Sequence, residues 1–205
     1  ICGTNLLYTN LLRPWPLLNI NIFDTDLYKG AILMGVGCGI NSKTINVYTQ
    51  YIYKNILNKD IFHSVRDEYT KNFIESLGFK AINTGCPTLW GLDNSICESI
   101  PKTKSDKVVF TLTDYSKDIQ NDSMLIQKLK DNYKQIYFWP QGIEDFHYLK
   151  TIVNNDLSDI NIISSTLQDF DNYLKEGNTD YIGTRLHGGI FALQHKIRTI
   201  ILSVD

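Results

Sequence analysis

The chain has 205 residues, 43% of them hydrophobic and 20% charged, with a formal net charge of −2. This composition is typical of a globular protein and excludes a disordered chain. The Lys and Arg residues are scattered and form no basic stripe for nucleic-acid binding, and no apolar run reaches the roughly 18–20 residues of a membrane-spanning helix. The length predicts one large domain or two modest ones.

The two ends of the sequence resemble interrupted strands. Ile1-Cys2-Gly3 reads as the end of a strand, and residues 199–205 read as a strand with nothing after it. We therefore expect a fragment truncated at both ends, with any targeting segment outside it. The location predicted for the protein is cytoplasmic.

Four cysteines lie far apart, and none forms a CxxC pair, so their spacing predicts no zinc site. Isolated cysteines in apolar surroundings are typical of buried free thiols, which fits a reducing compartment. The four cysteines are Cys2, Cys38, Cys86 and Cys97.

In the first half of the chain, short apolar strands alternate with amphipathic helices. Asp67 is placed to cap a helix that buries Tyr69, Phe73 and Leu77 and ends at Gly78. The other predicted elements are strands at residues 31–34, 61–65 and 80–83 and a helix at 43–57.

Polar residues with little periodicity at about 92–106 indicate a linker, and the alternation then restarts. Strands are predicted at 107–112, 135–139, 160–163, 180–183 and 199–202, and helices at 120–133, 144–153, 167–175 and 186–194. This order predicts an α/β fold with two Rossmann-like parallel-sheet units facing a cleft, and ligands beyond the carboxyl ends of the strands. The predicted domains are 1–95 and 107–205, with a linker at 96–106.

The strongest candidate site is Gly183-Thr184-Arg185-Leu186-His187-Gly188-Gly189, where a strand gives way to a helix. The first turn of a helix favours anions. Arg185 adds a charged fork for phosphate or carboxylate, His187 can move a proton near neutral pH, and the paired glycines would let a ligand approach closely. The alternative is that Arg185 pairs with a surface carboxylate and His187 is a satisfied helix-start residue.

An ordered set of short motifs along almost the whole chain resembles the polysaccharide pyruvyl transferase family. Its C-terminal element resembles Thr184-Arg185-Leu186-His187 with the strand at 197–201. The earlier elements resemble Gly3-Thr4-Asn5, Ser64-Val65-Arg66-Asp67, Gly85-Cys86-Pro87-Thr88-Leu89-Trp90 and the segment 137–142.

The resemblance implies a GT-B-like fold of two Rossmann-like domains, the first on the acceptor side and the second on the donor side. It implies that Arg185, Leu186 and His187, together with Arg66 from the other domain, bind phosphoenolpyruvate. For Arg66, an ion pair with a nearby carboxylate is the alternative. No metal or cofactor is expected besides the donor, since arginines would supply the positive charge.

The expected reaction forms a pyruvate ketal on a sugar or glycan acceptor, with His187 as acid/base. Protonation of the enol carbon, attack by a sugar hydroxyl and loss of phosphate all need such a group beside cationic residues. One alternative is a GT-B glycosyltransferase that uses a nucleotide-diphosphate sugar. Another is a binding module for an anionic sugar without turnover.

Several other patterns are weaker. Asp24-Thr25-Asp26 matches a metal-binding DxD pattern but favours a turn, and residues 35–39 (GVGCG) favour a tight turn because Ile40 replaces the third glycine of GxGxxG. Gln141 could bind substrate or shape its turn. Three histidines have no partner identifiable by spacing and are predicted to be structural or surface residues: His63, His147 and His195.

Overall fold

The computed structural model describes residues 1–12, 17–39 and 44–204. They fold into two compact units, Ile1–Trp90 and Gly91–Asp205. Every strand pairing in this part of the chain is parallel, which confirms an α/β fold with parallel sheets. The GT-B-like arrangement and the domain limits stay predictions. None of the helices in the described ranges is both long enough and apolar enough to cross a bilayer.

The first unit has short strands and two principal helices. They are β1 (Leu7–Tyr8), β2 (Cys38–Gly39), α1 (Val47–Ile56), β3 (His63–Val65), α2 (Glu68–Ser76) and β4 (Ala81–Asn83). β1 pairs with β2 and β3 with β4.

The strand predicted at 31–34 is not a continuous strand. Ala31, Met34 and Val36 make only isolated bridges, because Gly35 adopts a φ of 61° that breaks the extended backbone. The helix predicted at 43–57 begins at Val47, where the Asn46 side chain accepts a hydrogen bond from the Tyr48 N–H at 2.8 Å. Lys43 lies outside the described residues.

The ends of α2 are as predicted, and Phe73 and Leu77 are buried as predicted, but Tyr69 is not. The Asp67 side chain accepts a hydrogen bond from the Thr70 N–H at 2.7 Å, and the left-handed Gly78 follows its last turn. The prediction that Tyr69 is buried is wrong, since it is 46% exposed. Its neighbour Thr70 is buried instead, because its hydroxyl accepts a hydrogen bond from the Cys38 N–H at 2.9 Å.

The second unit follows the predicted strand-helix order closely, with ends shifted by one residue at most. Its elements are α3 (Asn94–Ser99), β5 (Lys107–Thr111), α4 (Ile119–Asn132), β6 (Gln135–Phe138), α5 (Ile143–Ile152), β7 (Ile160–Ile162), α6 (Leu167–Lys175), β8 (Asp180–Gly183), α7 (Leu186–Gln194) and β9 (Arg198–Ile201). α3 was not predicted and lies within the segment interpreted as a linker. Asp93 caps it.

The five strands of the second unit form one sheet in the order β7-β6-β5-β8-β9. The chain runs from β5 outward to β7 and then returns to the other side of β5, so the order reverses between β5 and β8. Residues of α4 and α5 pack on one face of the sheet and residues of α6 and α7 on the other. Such a reversal leaves a crevice beyond the carboxyl ends of the two central strands, where ligands bind in open α/β sheets.

Candidate functional site

The carboxyl ends of β5 and β8 lie side by side at this reversal. Thr111 pairs with Gly183, and position 183 has no room for a side chain, since a Cβ there would be 2.2 Å from the Thr111 Oγ1. Just beyond, the hydroxyls of Thr113 and Thr184 are 2.8 Å apart and hydrogen-bonded. These contacts fix the point from which residue 185 leaves the sheet.

A buried tyrosine sets the start of α7. The Tyr181 hydroxyl is 2.6 Å from the Thr111 Oγ1 and donates a hydrogen bond to the Arg185 carbonyl at 2.8 Å. Burial raises the pKa of Tyr181 above its ordinary value, so the phenol stays protonated and remains a donor. The backbone of Arg185 is thereby held at the N-cap position of α7.

The two glycines of α7 serve packing within the protein. A Cβ at Gly188 would be 2.8 Å from the Tyr181 hydroxyl, and one at Gly189 would be 2.5 Å from a side-chain carbon of Ile201. Both glycines are buried. The expectation that they open space for a ligand is therefore wrong, because protein atoms occupy that space.

The Arg185 guanidinium is held by two carboxylates. Its Nη2 donates hydrogen bonds to the Asp114 Oδ1 at 2.8 Å and to the Asp145 Oδ1, and its Nε donates to the Leu112 carbonyl at 3.2 Å. The Tyr115 ring covers it at 4.9 Å. Burial opposes the charged form, but the hydrogen bond and charge of Asp145 outweigh it and raise the pKa of Arg185.

The two carboxylates sit in different surroundings. Asp145, in the first turn of α5, is 1% exposed and also accepts hydrogen bonds from the N–H groups of Asp114 and Gln141 at 3.2 and 3.0 Å. The Asp114 side chain is 29% exposed. Burial acts to raise the pKa of Asp114, but hydrogen bonding in the cluster and the charge of Arg185 hold it below its usual value.

The remaining predicted residues of this element lie on the first turn of α7. Leu186 is 52% exposed, and His187 is also exposed. The side-chain amide of Gln141 lies beside Gly188, 3.1 Å from where a Cβ would stand. Arg185, Leu186, His187 and Gln141 are therefore brought together at the carboxyl edge of one sheet.

A depression of about 660 Å³ adjoins this edge. It lies beyond the ends of β5, β8 and β9, beside the first turn of α4. Its walls carry hydroxyl, amide, ammonium and carboxylate groups among apolar side chains. The polar residues include Ser116, Lys117, Asp118, Asn121, Asp122, Thr184 and Ser203. The surface beyond Thr184 is thus concave, with polar and apolar groups in similar proportion.

In the first unit, Arg66 contacts residues of two other sequence patterns, Gly3-Thr4-Asn5 and residues 35–39. Arg66 follows β3 and donates a hydrogen bond from Nη2 to the Asn5 side-chain oxygen. A Cβ at Gly37 would come 2.4 Å from the Arg66 Nε, so residue 37 must be glycine for the guanidinium to lie there. The ion pair that was the alternative for Arg66 is present but long, because Asp67 is 3.9 Å away and its other oxygen caps α2.

A second glycine in this part of the chain, Gly35, is also required by close packing. Gly35 lies against Pro87, whose ring would be 2.1 Å from a Cβ at position 35. The Gly35 N–H donates to the Ser64 hydroxyl at 3.0 Å. The prediction of a tight turn at residues 35–39 is correct only at Gly35, whose φ is 61°; Val36 makes a parallel bridge and Cys38–Gly39 form β2, so these residues are extended. Ile40 lies outside the described residues.

The weaker signals are mostly structural. Asp24 closes a capping box with Asn21 at a short 3-10 turn, which confirms the turn interpretation. His63 is buried and bonded to backbone groups of Leu33 and Asn58, and His195 bonds Asp171 at 2.8 Å.

The cysteines are only partly as expected. All four are free thiols, but Cys2 and Cys97 are exposed, so the prediction that they are buried is wrong for these two. Burial raises the pKa of the Cys38 thiol to about 12.

Asp114, Tyr115 and Asp145 were not predicted as site residues. Asp114 and Tyr115 follow the end of β5 after two residues, and their position just beyond a strand's carboxyl end is a signal that could have identified them. Asp145 gives no such signal, because an acidic residue in the first turn of a helix is common on general grounds.

A family model described as "Polysaccharide pyruvyl transferase" matches residues 1–205, which is the whole chain. No curated protein and no solved structure matches the sequence of this chain.

Proposed function

The chain belongs to the polysaccharide pyruvyl transferase family, and from that premise we propose that it forms a pyruvate ketal on a sugar of a polysaccharide or glycan precursor, with phosphoenolpyruvate as donor. The observation that carries the proposal is the position of Arg185. It places a permanent positive charge at the first turn of α7, beyond the carboxyl end of β8. A helix N-terminus and a guanidinium together favour an anionic ligand.

The donor carries a phosphate and a carboxylate, so it needs more than one cationic or N–H group. Arg185 and the first N–H groups of α7 are proposed to bind it, with Leu186 and His187 alongside. Arg66 is proposed as a second cation for the donor. The guanidinium of Arg185 is well placed for this because Leu112 and Asp145 fix its orientation before any ligand arrives.

The proposed chemistry assigns the proton transfers to His187. Its imidazolium protonates the methylene carbon of the enol, and a sugar hydroxyl attacks the adjacent carbon and gives its proton to the now neutral His187. His187 passes that proton to the phosphate oxygen as the C–O bond breaks, and inorganic phosphate leaves. A second hydroxyl of the sugar then attacks the same carbon, returns its proton to His187 and closes the ketal, while Arg185 stabilises the charge of the departing phosphate.

The test is donor choice. The full-length protein is incubated with phosphoenolpyruvate or with nucleotide-diphosphate sugars, each with a panel of sugar acceptors, and phosphate, nucleotide and product mass are measured. We expect phosphate release from phosphoenolpyruvate that requires an acceptor, and a product heavier by one pyruvate ketal.

Two variants make this assay specific. Arg185→Ala removes the proposed cation and should abolish acceptor-dependent phosphate release. Lys130→Ala removes a positive charge from a surface pair with Asp159 at 3.0 Å, and phosphate release should be unchanged in this control variant. Release of nucleoside diphosphate from a nucleotide sugar would indicate a glycosyltransferase instead, and no release from either donor would indicate a binding module.

A further inference from the structure

The net charge around Arg185 disfavours an anionic donor. One guanidinium is in contact with two carboxylates, Asp114 and Asp145. The cluster therefore carries one net negative charge at the place where the proposed function needs a positive one. Like charges a few ångströms apart repel strongly where water is partly excluded, so one carboxylate must leave or lose its charge when the donor binds.

The two carboxylates differ in how firmly they are held. Asp145 is almost fully buried and accepts hydrogen bonds from two backbone N–H groups besides the guanidinium. Moving it would leave both N–H groups and a buried charge without partners, which is strongly unfavourable. It also lies in the first turn of α5, where the helix dipole favours a negative charge.

Asp114 is far easier to displace. Its side chain is 29% exposed, and it belongs to the connection between β5 and α4. Water can solvate this carboxylate once it leaves Arg185, and part-exposed ion pairs are weak.

We propose that Asp114 is a displaceable counter-ion of Arg185, which an anionic group of the donor replaces, while Asp145 remains in place and positions the guanidinium. This inference rests on the proposed function of the site. Asp114 occupies one edge of the guanidinium when no donor is bound, and its departure removes the excess negative charge and exposes that edge to phosphate or carboxylate. The connection between β5 and α4, which includes Tyr115 on the guanidinium face, must shift with it.

The two carboxylates make a matched pair for mutation. Asp114→Asn removes the competing charge at nearly constant shape and should tighten anion binding by up to about fivefold, which is the strength of a part-exposed ion pair expressed as an affinity. Asp145→Asn should weaken it by tenfold or more, because the guanidinium loses its anchor. Asp159→Asn, on the surface pair with Lys130, controls for net charge and should change nothing.

The probes are inorganic phosphate and sulfate, with affinities from calorimetry, and phosphoenolpyruvate, with KM from the donor assay. If Asp114→Asn binds both anions as weakly as the wild type or more weakly, the counter-ion role is wrong. If Asp114→Asn does not fold, Asp114→Ser removes the same charge and is judged by the same criterion.

Anion affinity and turnover are read separately. Tighter phosphate binding by Asp114→Asn in a protein that does not consume phosphoenolpyruvate would support the counter-ion and contradict the proposed reaction. Normal turnover with no gain in anion affinity would contradict the counter-ion alone.

Discussion

Arg66 lies directly over Gly37, at a distance that leaves no room for a Cβ atom at position 37. The missing side chain at position 37 therefore makes room for the Arg66 guanidinium, and it is not required by the backbone conformation of Gly37. We expect Gly37→Ala to push aside both the Arg66 guanidinium and the Asn5 side chain that accepts its hydrogen bond. If Arg66 serves the donor as proposed, Gly37→Ala should raise the KM for phosphoenolpyruvate about as much as Arg66→Ala does.

The double variant Gly37→Ala/Arg66→Ala separates this effect from general damage. Two residues that act through one contact give non-additive changes, so the double variant should be no worse than the poorer single one. A fully additive loss would mean that Gly37 acts independently of Arg66. Thermal melting of all three proteins serves as the folding control.

Arg185→Lys keeps the positive charge but loses the planar fork that contacts Leu112, Asp114 and Asp145. We expect a clear rise in the KM for phosphoenolpyruvate, and a larger one for Arg185→Ala. Steady-state kinetics on the full-length enzyme measures both. Donor kinetics unchanged in both variants would remove Arg185 from the donor site.

His187→Gln tests proton transfer apart from binding. Glutamine keeps much of the size and hydrogen-bonding capacity of histidine but cannot shuttle a proton near neutral pH, so kcat should fall by about 10²–10⁴-fold with a smaller change in donor affinity. A role limited to anchoring the donor would give the reverse pattern, with weaker binding and near-normal kcat at saturation. A normally folded variant with full activity would contradict the catalytic role.

Asp180 offers a stability prediction away from the site. It is 1% exposed at the start of β8 and accepts hydrogen bonds from the Tyr133 hydroxyl at 2.7 Å and Arg198 Nη1 at 2.6 Å. Burial, together with this carboxylate, raises the pKa of Tyr133 to about 12. Asp180→Asn should lower the free energy of unfolding by about 1–3 kcal/mol, because polar groups lose their charged partner.

Denaturant unfolding measures this loss, and Arg198→Met added to Asp180→Asn should recover part of it by removing the unpaired cation. The KM and kcat of Asp180→Asn should stay unchanged, since the opposite end of β8 carries Arg185. A variant as stable as the wild type would show that this buried cluster contributes little.

From β5 onward the second unit could be predicted almost residue by residue, because each of its strands is a short apolar run and each helix has an apolar face, whereas the short helix α3 before β5 was missed. Residues 31–39 could not, since their pairing with Cys2, Leu57 and Val65 depends on segments distant in the chain and on the turn at Gly35. Tyr69 and Thr70 show the same limit on a helix: an apolar residue is exposed and a polar neighbour buried because one hydrogen bond to Cys38 determines the buried face.

For the site, the sequence identified the cation but not its partners. Arg185 stands in a recognisable motif, whereas Asp145 is 40 residues away in the chain and Asp114 71 residues away. Their meeting depends on the order of strands in the sheet. The role of Gly188 and Gly189 was misinterpreted for a related reason. Tyr181 and Ile201 contact α7 from neighbouring strands, and no local sequence pattern predicts these contacts.

The reversal between β5 and β8 also determines when the site can form. During folding, β5 can pair with β6 as soon as the short segment between them is complete, but Thr111 meets Gly183 only after some 70 further residues have been ordered. Closing so long a loop carries a large entropic cost, and contacts of this kind are made slowly. Arg185 and its two carboxylates should therefore come together late, and a partly folded chain with intact β5, β6 and α4 would have no anion site.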